Sequence, residues 1–206
     1  MHLEILTPQQ TELLSLVKLF KRNFYLVGGT AIALQIGHRR SIDFDLFTIN
    51  NINHDLIKRK IFELKFRPVN RGFENTEQVH YNICGVKFTF YQYPFNIPHN
   101  IKFKEITAMP DLLELAAMKA FALGGRGKWK DYVDLYFIIK NHFTVKEVSK
   151  RAYELFDQQF NHKLFVQQLS FFKDISYEEE VDFLPGFEVN EEEIKEFLVN
   201  VATEPF

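Results

Sequence analysis

Residues 24–47 read FYLVGGTAIALQIGHRRSIDFDLF, and the order of residue types in this stretch decides the fold. It opens on an apolar run, residues 24–27, short and bulky enough for a buried strand. Gly28 and Gly29 follow, where a backbone turns tightly and lets a ligand come close. Residues 30–36 then carry a helical pattern. Asp43-Phe44-Asp45-Leu46 alternates polar and apolar, so on a strand both carboxylates share one face and Phe44 and Leu46 share the other. Two adjacent carboxylates repel unless a cation sits between them. Hard oxygen ligands at this spacing suit Mg²⁺, which completes its shell with phosphates and water.

Outward from this stretch, Thr7-Pro8-Gln9-Gln10 reads as a helix start, with Thr7 as cap and Gln10 closing a capping box. Leu13, Val17 and Phe20 share a face of a helix expected to end near Arg22. On the other side, Asn53 caps an expected helix with Leu56, Ile57, Ile61 and Leu64 inward. Residues 78–83 and 86–93 read as strands joined at Cys84-Gly85 by a hairpin turn, and residues 101–106 as one more strand. From Pro110 the pattern turns helical: 112–123, apolar almost all round, then 128–141, 145–156, 163–172 and 191–202. The expected architecture is α/β in the broad α+β sense, a small mixed sheet followed by a helical C-terminal half. Residues 1–106 form the core and 107–206 a helical region packed on it as one compact unit.

Composition narrows the classes. The 25 basic and 27 acidic residues nearly cancel, so no bulk basic field draws the chain to nucleic acid. The 23 phenylalanines point to a filled aromatic core. Cys84 is the only cysteine, which excludes an intramolecular disulfide and a cysteine-rich zinc site. The opening MHLEILTPQQ lacks a basic stretch followed by an apolar one, and no apolar run approaches the ~18 residues of a spanning helix. A cytoplasmic protein with no membrane partner is expected.

Val27-Gly28-Gly29, thirteen residues, then Asp43-Phe44-Asp45-Leu46 resembles the signature of the DNA polymerase beta-like nucleotidyltransferase superfamily. Within it, GGTAIAL followed by HRRSIDFDLF resembles the bacterial AbiEii/AbiGii abortive-infection toxin family. Residues 126–135, RGKWKDYVDL, match that family's RGxxKDxxDL segment, and residues 169–174 and 182–185 match its C-terminal stretch. The resemblance implies a small mixed-sheet nucleotidyltransferase core and a Mg²⁺-dependent enzyme moving a nucleotidyl group from an NTP to an acceptor, with tRNA or another RNA as that acceptor. It further implies the toxin of a toxin–antitoxin or phage-defence pair, with a cognate antitoxin as partner.

Carried onto this chain, the resemblance makes Asp43 and Asp45 the metal carboxylates and Gly28 and Gly29 the lining of the phosphate site. Thr30 either adds a hydroxyl there or caps the helix; both readings stand. Arg39, Arg40 and Ser41 lie just before the metal strand as phosphate-ligand candidates, with a solvated loop as the alternative. Lys119, alone in the apolar helix AAMKAFAL, either snorkels to water or meets a substrate phosphate. Asp131 and Asp134 share a helix face; either one of them orients Lys119 or Arg126 or meets the acceptor, or both pair on the helix surface with Lys128 and Lys130, and Arg126 and Lys130 are further substrate-binding candidates.

One position departs from the pattern. Superfamily enzymes carry a third carboxylate on a later strand, in a sequence like GVKVDF, where residues 85–90 here read GVKFTF. Thr89 is a poor metal ligand and no base. The competing expectation is therefore a catalytically degenerate nucleotide-binding or protein-interaction module, unless Asp131 or Asp134 substitutes. A metallohydrolase built from His38, Asp43 and Asp45 ranks third, because the histidines show no ligand spacing.

Overall fold

A computed structural model describes residues 1–68, 70–125, 127–173 and 175–204, with backbone alone over 70–74. The chain forms two units, Met1–Asp111 and Leu112–Phe206. A hairpin that ends at Met109 belongs to the first unit.

That unit begins with helix α1 (Pro8–Leu19), capped by Thr7 in the expected box. Strand β1 (Tyr25–Val27), helix α2 (Gly28–Ile36) and strand β2 (Phe44–Thr48) follow. Helix α3 (His54–Glu63) is capped by Asn53, and then come β3 (Asn70–Glu74), β4 (Gln78–Ile83) and β5 (Val86–Gln92). The last pair, β6 (Ile101–Phe103) and β7 (Thr107–Met109), is antiparallel, where the sequence suggests one strand. Lys104 sits between them at φ 48°, a left-handed turn on a non-glycine residue that hydropathy does not reveal. At Cys84-Gly85 the hairpin forms as expected, both residues at positive φ.

The main sheet runs β1-β2-β5-β4-β3, with β2 and β5 parallel and the other pairs antiparallel. This makes the fold mixed α/β, as the sequence implies. Alternation sorts its faces. Phe44, Leu46, Val79, Tyr81, Phe88 and Phe90 point one way and are buried. Phe90 packs edge-on to Phe20 of the segment after α1, with centroids 4.8 Å apart. Each such ring contributes about 1.5–3 kcal/mol by leaving water. The other face carries a row set by strand register, Asp45 of β2 opposite Thr89 of β5 opposite His80 of β4.

The second unit is helical: α4 (Leu112–Leu123), α5 (Trp129–Asn141), α6 (Val145–Phe156), α7 (His162–Leu169) and α8 (Glu191–Thr203). Thr144, Asn161 and Asn190 cap α6, α7 and α8 through their side chains. Nearly every residue of α5 is buried, so it is the unit's central helix. Tyr136 of α5 meets Phe197 of α8 edge-on at 5.2 Å, and Phe121 of α4 stacks on Phe156 of α6 at 4.2 Å. Arg151 pairs with the buried Glu114 at 2.7 Å, tying α6 to α4. Among the described residues no helix is long and apolar enough to cross a membrane.

Candidate active site

The glycines of the sequence motif form the first turn of α2 itself, ahead of the expected helix start at 30. Gly28 takes φ 73°, and its missing side chain leaves the slot that Asp45 fills. A Cβ there would collide with Oδ2 of Asp45 and lie 3.2 Å from its Cγ. At Gly29 a Cβ would lie 2.5 Å from Nη2 of Arg39 and 3.1 Å from the Ser41 hydroxyl. Val27, the cap residue, has no side-chain acceptor, so the first-turn N–H groups of α2 rely on another partner. An anion is the natural one.

Asp43 and Asp45 are both half-buried, while Phe44 between them is in the core. Strand β2 begins at Phe44, so Asp43 precedes the ladder and its backbone is held by side chains instead. Thr30 is 1% exposed, and its hydroxyl bonds the Asp43 carbonyl and lies 3.0 Å from the Ser41 hydroxyl. Gln10 of α1, fully buried, donates from Nε2 to the Ser41 carbonyl at 2.7 Å.

Asp43 and Asp45 are hard oxygen donors two residues apart, with Asp45 against the start of α2, and that chemistry fits a hard divalent cation with substrate phosphates. Among the described residues no group of three His, Cys, Asp or Glu converges for a metal. The two arginines divide. Arg39 is 1% exposed, with Nη1 donating to the Arg40 carbonyl at 2.9 Å, and lies beneath Gly29; Arg40 is half-buried and donates to the Glu4 carbonyl at 3.0 Å.

Thr89 is 5% exposed and pairs with Asp45 in the parallel register. His80, which spacing along the chain does not mark, is brought onto this row by β4. Its pKa is lowered chiefly by burial and further by Lys87, and the Asp45 carboxylate opposes them. Only strand pairing reveals it.

In the second unit, Lys119 of α4 lies against two carboxylates of α5, Asp131 and, at 2.9 Å, Asp134. Lys119 is 12% exposed at its side chain and Asp134 fully buried, so the lysine is held in a buried ionic cluster. Oδ2 of Asp131 is buried with no hydrogen-bond partner among the described residues. Lys130 faces Glu179 at 3.3 Å. Arg126, a further site candidate from sequence, lies outside the described residues.

The sequence model of the family described as nucleotidyl transferase AbiEii toxin, type IV TA system, matches residues 13–204. An Aquifex aeolicus (strain VF5) protein, aq_aa25, is 32% identical over 188 residues, covering 86% of this chain and 89% of that one. Among solved structures, MenT4, a nucleotidyltransferase toxin from Mycobacterium tuberculosis H37Rv, is similar at a TM-score of 0.61 and 13% identity, over 95% of this chain and 82% of that one. A structure described as a putative nucleotidyltransferase from H. pylori is similar at a TM-score of 0.58 and 15% identity over 94% and 91%, and JHP933 from Helicobacter pylori at 0.57 and 15% over 94% and 88%. At those identities the structural likeness speaks for the fold, and the family match speaks for the class of enzyme. Of the two readings left open by Thr89, the enzyme is the one the family supports. The chain belongs to the AbiEii toxin family of nucleotidyltransferases.

Proposed function

We propose that this toxin nucleotidyltransferase moves a nucleotidyl group from a Mg²⁺-bound NTP to a hydroxyl or phosphate of an RNA, with tRNA the first acceptor to test. One observation carries the reading: the Asp45 carboxylate fills the slot left by Gly28 at an α2 start without a side-chain cap. A cation-binding carboxylate and a set of anion-binding N–H groups therefore adjoin, as a metal–triphosphate requires.

When bound, Mg²⁺ supplies positive charge against the triphosphate. Asp43 and Asp45 hold it, and the Gly28 and Gly29 N–H groups cradle phosphate oxygens. Arg40 is the arginine assigned to a phosphate, while the buried Arg39 supports the glycine turn. In the second unit, the Lys119 ammonium is steadied by Asp131 and Asp134. For a hydroxyl acceptor, its oxygen attacks the α-phosphorus, the bond from that phosphorus to the β-bridging oxygen breaks and pyrophosphate leaves. The hydroxyl proton passes to solvent. Catalysis is positioning and electrostatics. A cognate antitoxin is the partner that the family's toxin–antitoxin description supports.

The test is incubation with each labelled NTP, Mg²⁺ and total cellular RNA. Label should enter RNA with at least one NTP, and Asp45→Asn should abolish it. Binding of Mg·NTP with no transfer to any RNA would overturn the reading.

A further inference from the structure

Asp43 stands one residue outside the β2 ladder, so strand pairing does not hold the segment 41–43. Two buried side chains from different helices do. From α1, Gln10 reaches across to donate Nε2–H to the Ser41 carbonyl at 2.7 Å. From α2, Thr30 bonds the carbonyl of Asp43. Neither has access to a ligand: Gln10 is 0% and Thr30 1% exposed. We propose that Gln10 and Thr30 are positioning residues that clamp the backbone of 41–43 and so set the Asp43 carboxylate beside that of Asp45. This rests on the reading of Asp43 and Asp45 as the metal pair.

The chemistry favours these side chains. An amide and a hydroxyl each offer a donor to a carbonyl without adding a charge that would compete with, or repel, the cation a few bonds away. The far end of Gln10 is anchored as well. Its Oε1 accepts the Thr7 N–H at 3.1 Å, and the Thr7 hydroxyl accepts the Gln10 N–H at 3.2 Å. The capping box thus fixes the glutamine's orientation, and the sequence pattern that starts α1 also aims a donor 31 residues along the chain. Groups that orient metal ligands from behind typically matter 10–100-fold in metal affinity.

Because Gln10 also stabilises a helix start, stability and positioning must be read apart. The variants are Gln10→Met, which removes the donor at similar volume; Thr30→Val, which removes the other donor without touching α1; and Thr7→Ala, which removes the hydroxyl half of the capping box and keeps the Thr7 N–H bond that orients the Gln10 side chain. The probe is free Mn²⁺ titrated by electron paramagnetic resonance without nucleotide, beside a urea unfolding curve for each protein. Gln10→Met and Thr30→Val should weaken Mn²⁺ binding about tenfold or more, with excess metal recovering full occupancy. Thr7→Ala should lower the unfolding midpoint yet bind Mn²⁺ within about twofold of wild type, since its cap bond and the Ser41 bond are separate. Should Gln10→Met fail to fold, Thr30→Val against Thr7→Ala still decides. Unchanged Mn²⁺ affinity in Thr30→Val or a folded Gln10→Met, or a loss in Thr7→Ala that tracks its lost stability, overturns the clamp. Asp45→Asn is run alongside: if it binds Mn²⁺ as wild type does, the metal reading has failed, and not the clamp alone.

Discussion

Asp45 of β2 and Thr89 of β5 are register partners across a parallel pair of strands, so their side chains leave the sheet on the same face. Asp45 therefore has a hydroxyl beside it, with His80 next in the row. The carboxylates, the glycine turn behind them and the residue beside them can each be tested.

Gly28→Ala should be severely damaging. A left-handed backbone costs a non-glycine residue about 1–2 kcal/mol, and the new methyl must also displace the Asp45 carboxylate. Gly186→Ala is the matched control, at φ 89° with nothing within 4 Å of its would-be Cβ. Both should lose stability in urea, but only Gly28→Ala should lose Mn²⁺ binding. Equal metal affinity in the two proteins would remove the steric argument.

Asp45→Asn and Asp43→Asn should abolish Mg²⁺-dependent NTP binding by calorimetry while leaving the melting temperature unchanged or raised. Relieving repulsion between two carboxylates in the metal-free protein costs no folding energy. Unaltered Mg·NTP affinity in Asp45→Asn would sink the metal assignment.

How much of this was legible beforehand follows from what sequence encodes locally. The Thr7–Gln10 box, the Asn53 cap, the Cys84-Gly85 turn and the strand that follows it are short-range patterns, and each appears in the structure. Strand β3, residues 70–74 (NRGFE), has no alternation to find, and β6–β7 turns on a lysine at positive φ. The placement of His80 beside Thr89 and the reach of Gln10 to Ser41 depend on pairing and packing between distant segments. Lys119 is the sharpest instance. Its apolar helix marks it as unusual and the sequence offers Asp131 or Asp134 to orient it, while the fold alone shows that both carboxylates meet it.

That partnership changes what a substitution at Lys119 should do. Lys119→Met removes the ammonium that faces two buried carboxylates, Asp131 and Asp134, a change that costs about 3–5 kcal/mol. The protein should unfold at much lower urea, and Lys119→Met combined with Asp134→Asn should recover part of the loss. A wild-type unfolding curve for Lys119→Met would contradict the buried cluster.

Glu179 gives a pH signature within the second unit. Its pKa falls from an ordinary 4.5 to about 2, chiefly through the hydrogen bond from Lys128, with Lys130 adding to it. A depressed carboxylate contributes stability above 4.5 and loses it as pH falls toward about 2. Glu179→Gln should therefore show a flatter stability profile across that window. Its side chain is 45% exposed, so the effect should be small and shrink with salt. Identical acid limbs at low salt would remove the assignment.

The last prediction returns to Thr89, which is 5% exposed on the row shared with Asp45. Thr89→Asp places a third carboxylate beside the metal pair. Without metal, the added repulsion and burial should lower the melting temperature. With metal, the same charge becomes a ligand, so Mg²⁺ should raise the melting temperature further in the variant than in wild type. A metal that binds only the folded protein stabilises it by RT ln(1 + c/Kd), where c is the free metal concentration, which makes this difference measurable without any substrate. Turnover is the second readout. A positioned base contributes about 10²–10⁴-fold in rate, so nucleotidyl transfer by Thr89→Asp should exceed that of wild type wherever wild type lacks a base. A wild type that is already fast, with Thr89→Asp neutral or slower, would mean that the acceptor's proton is taken by a group other than residue 89. A variant that gains no extra stabilisation from Mg²⁺ would instead show that the side chain at 89 does not reach the ion, whatever its effect on rate.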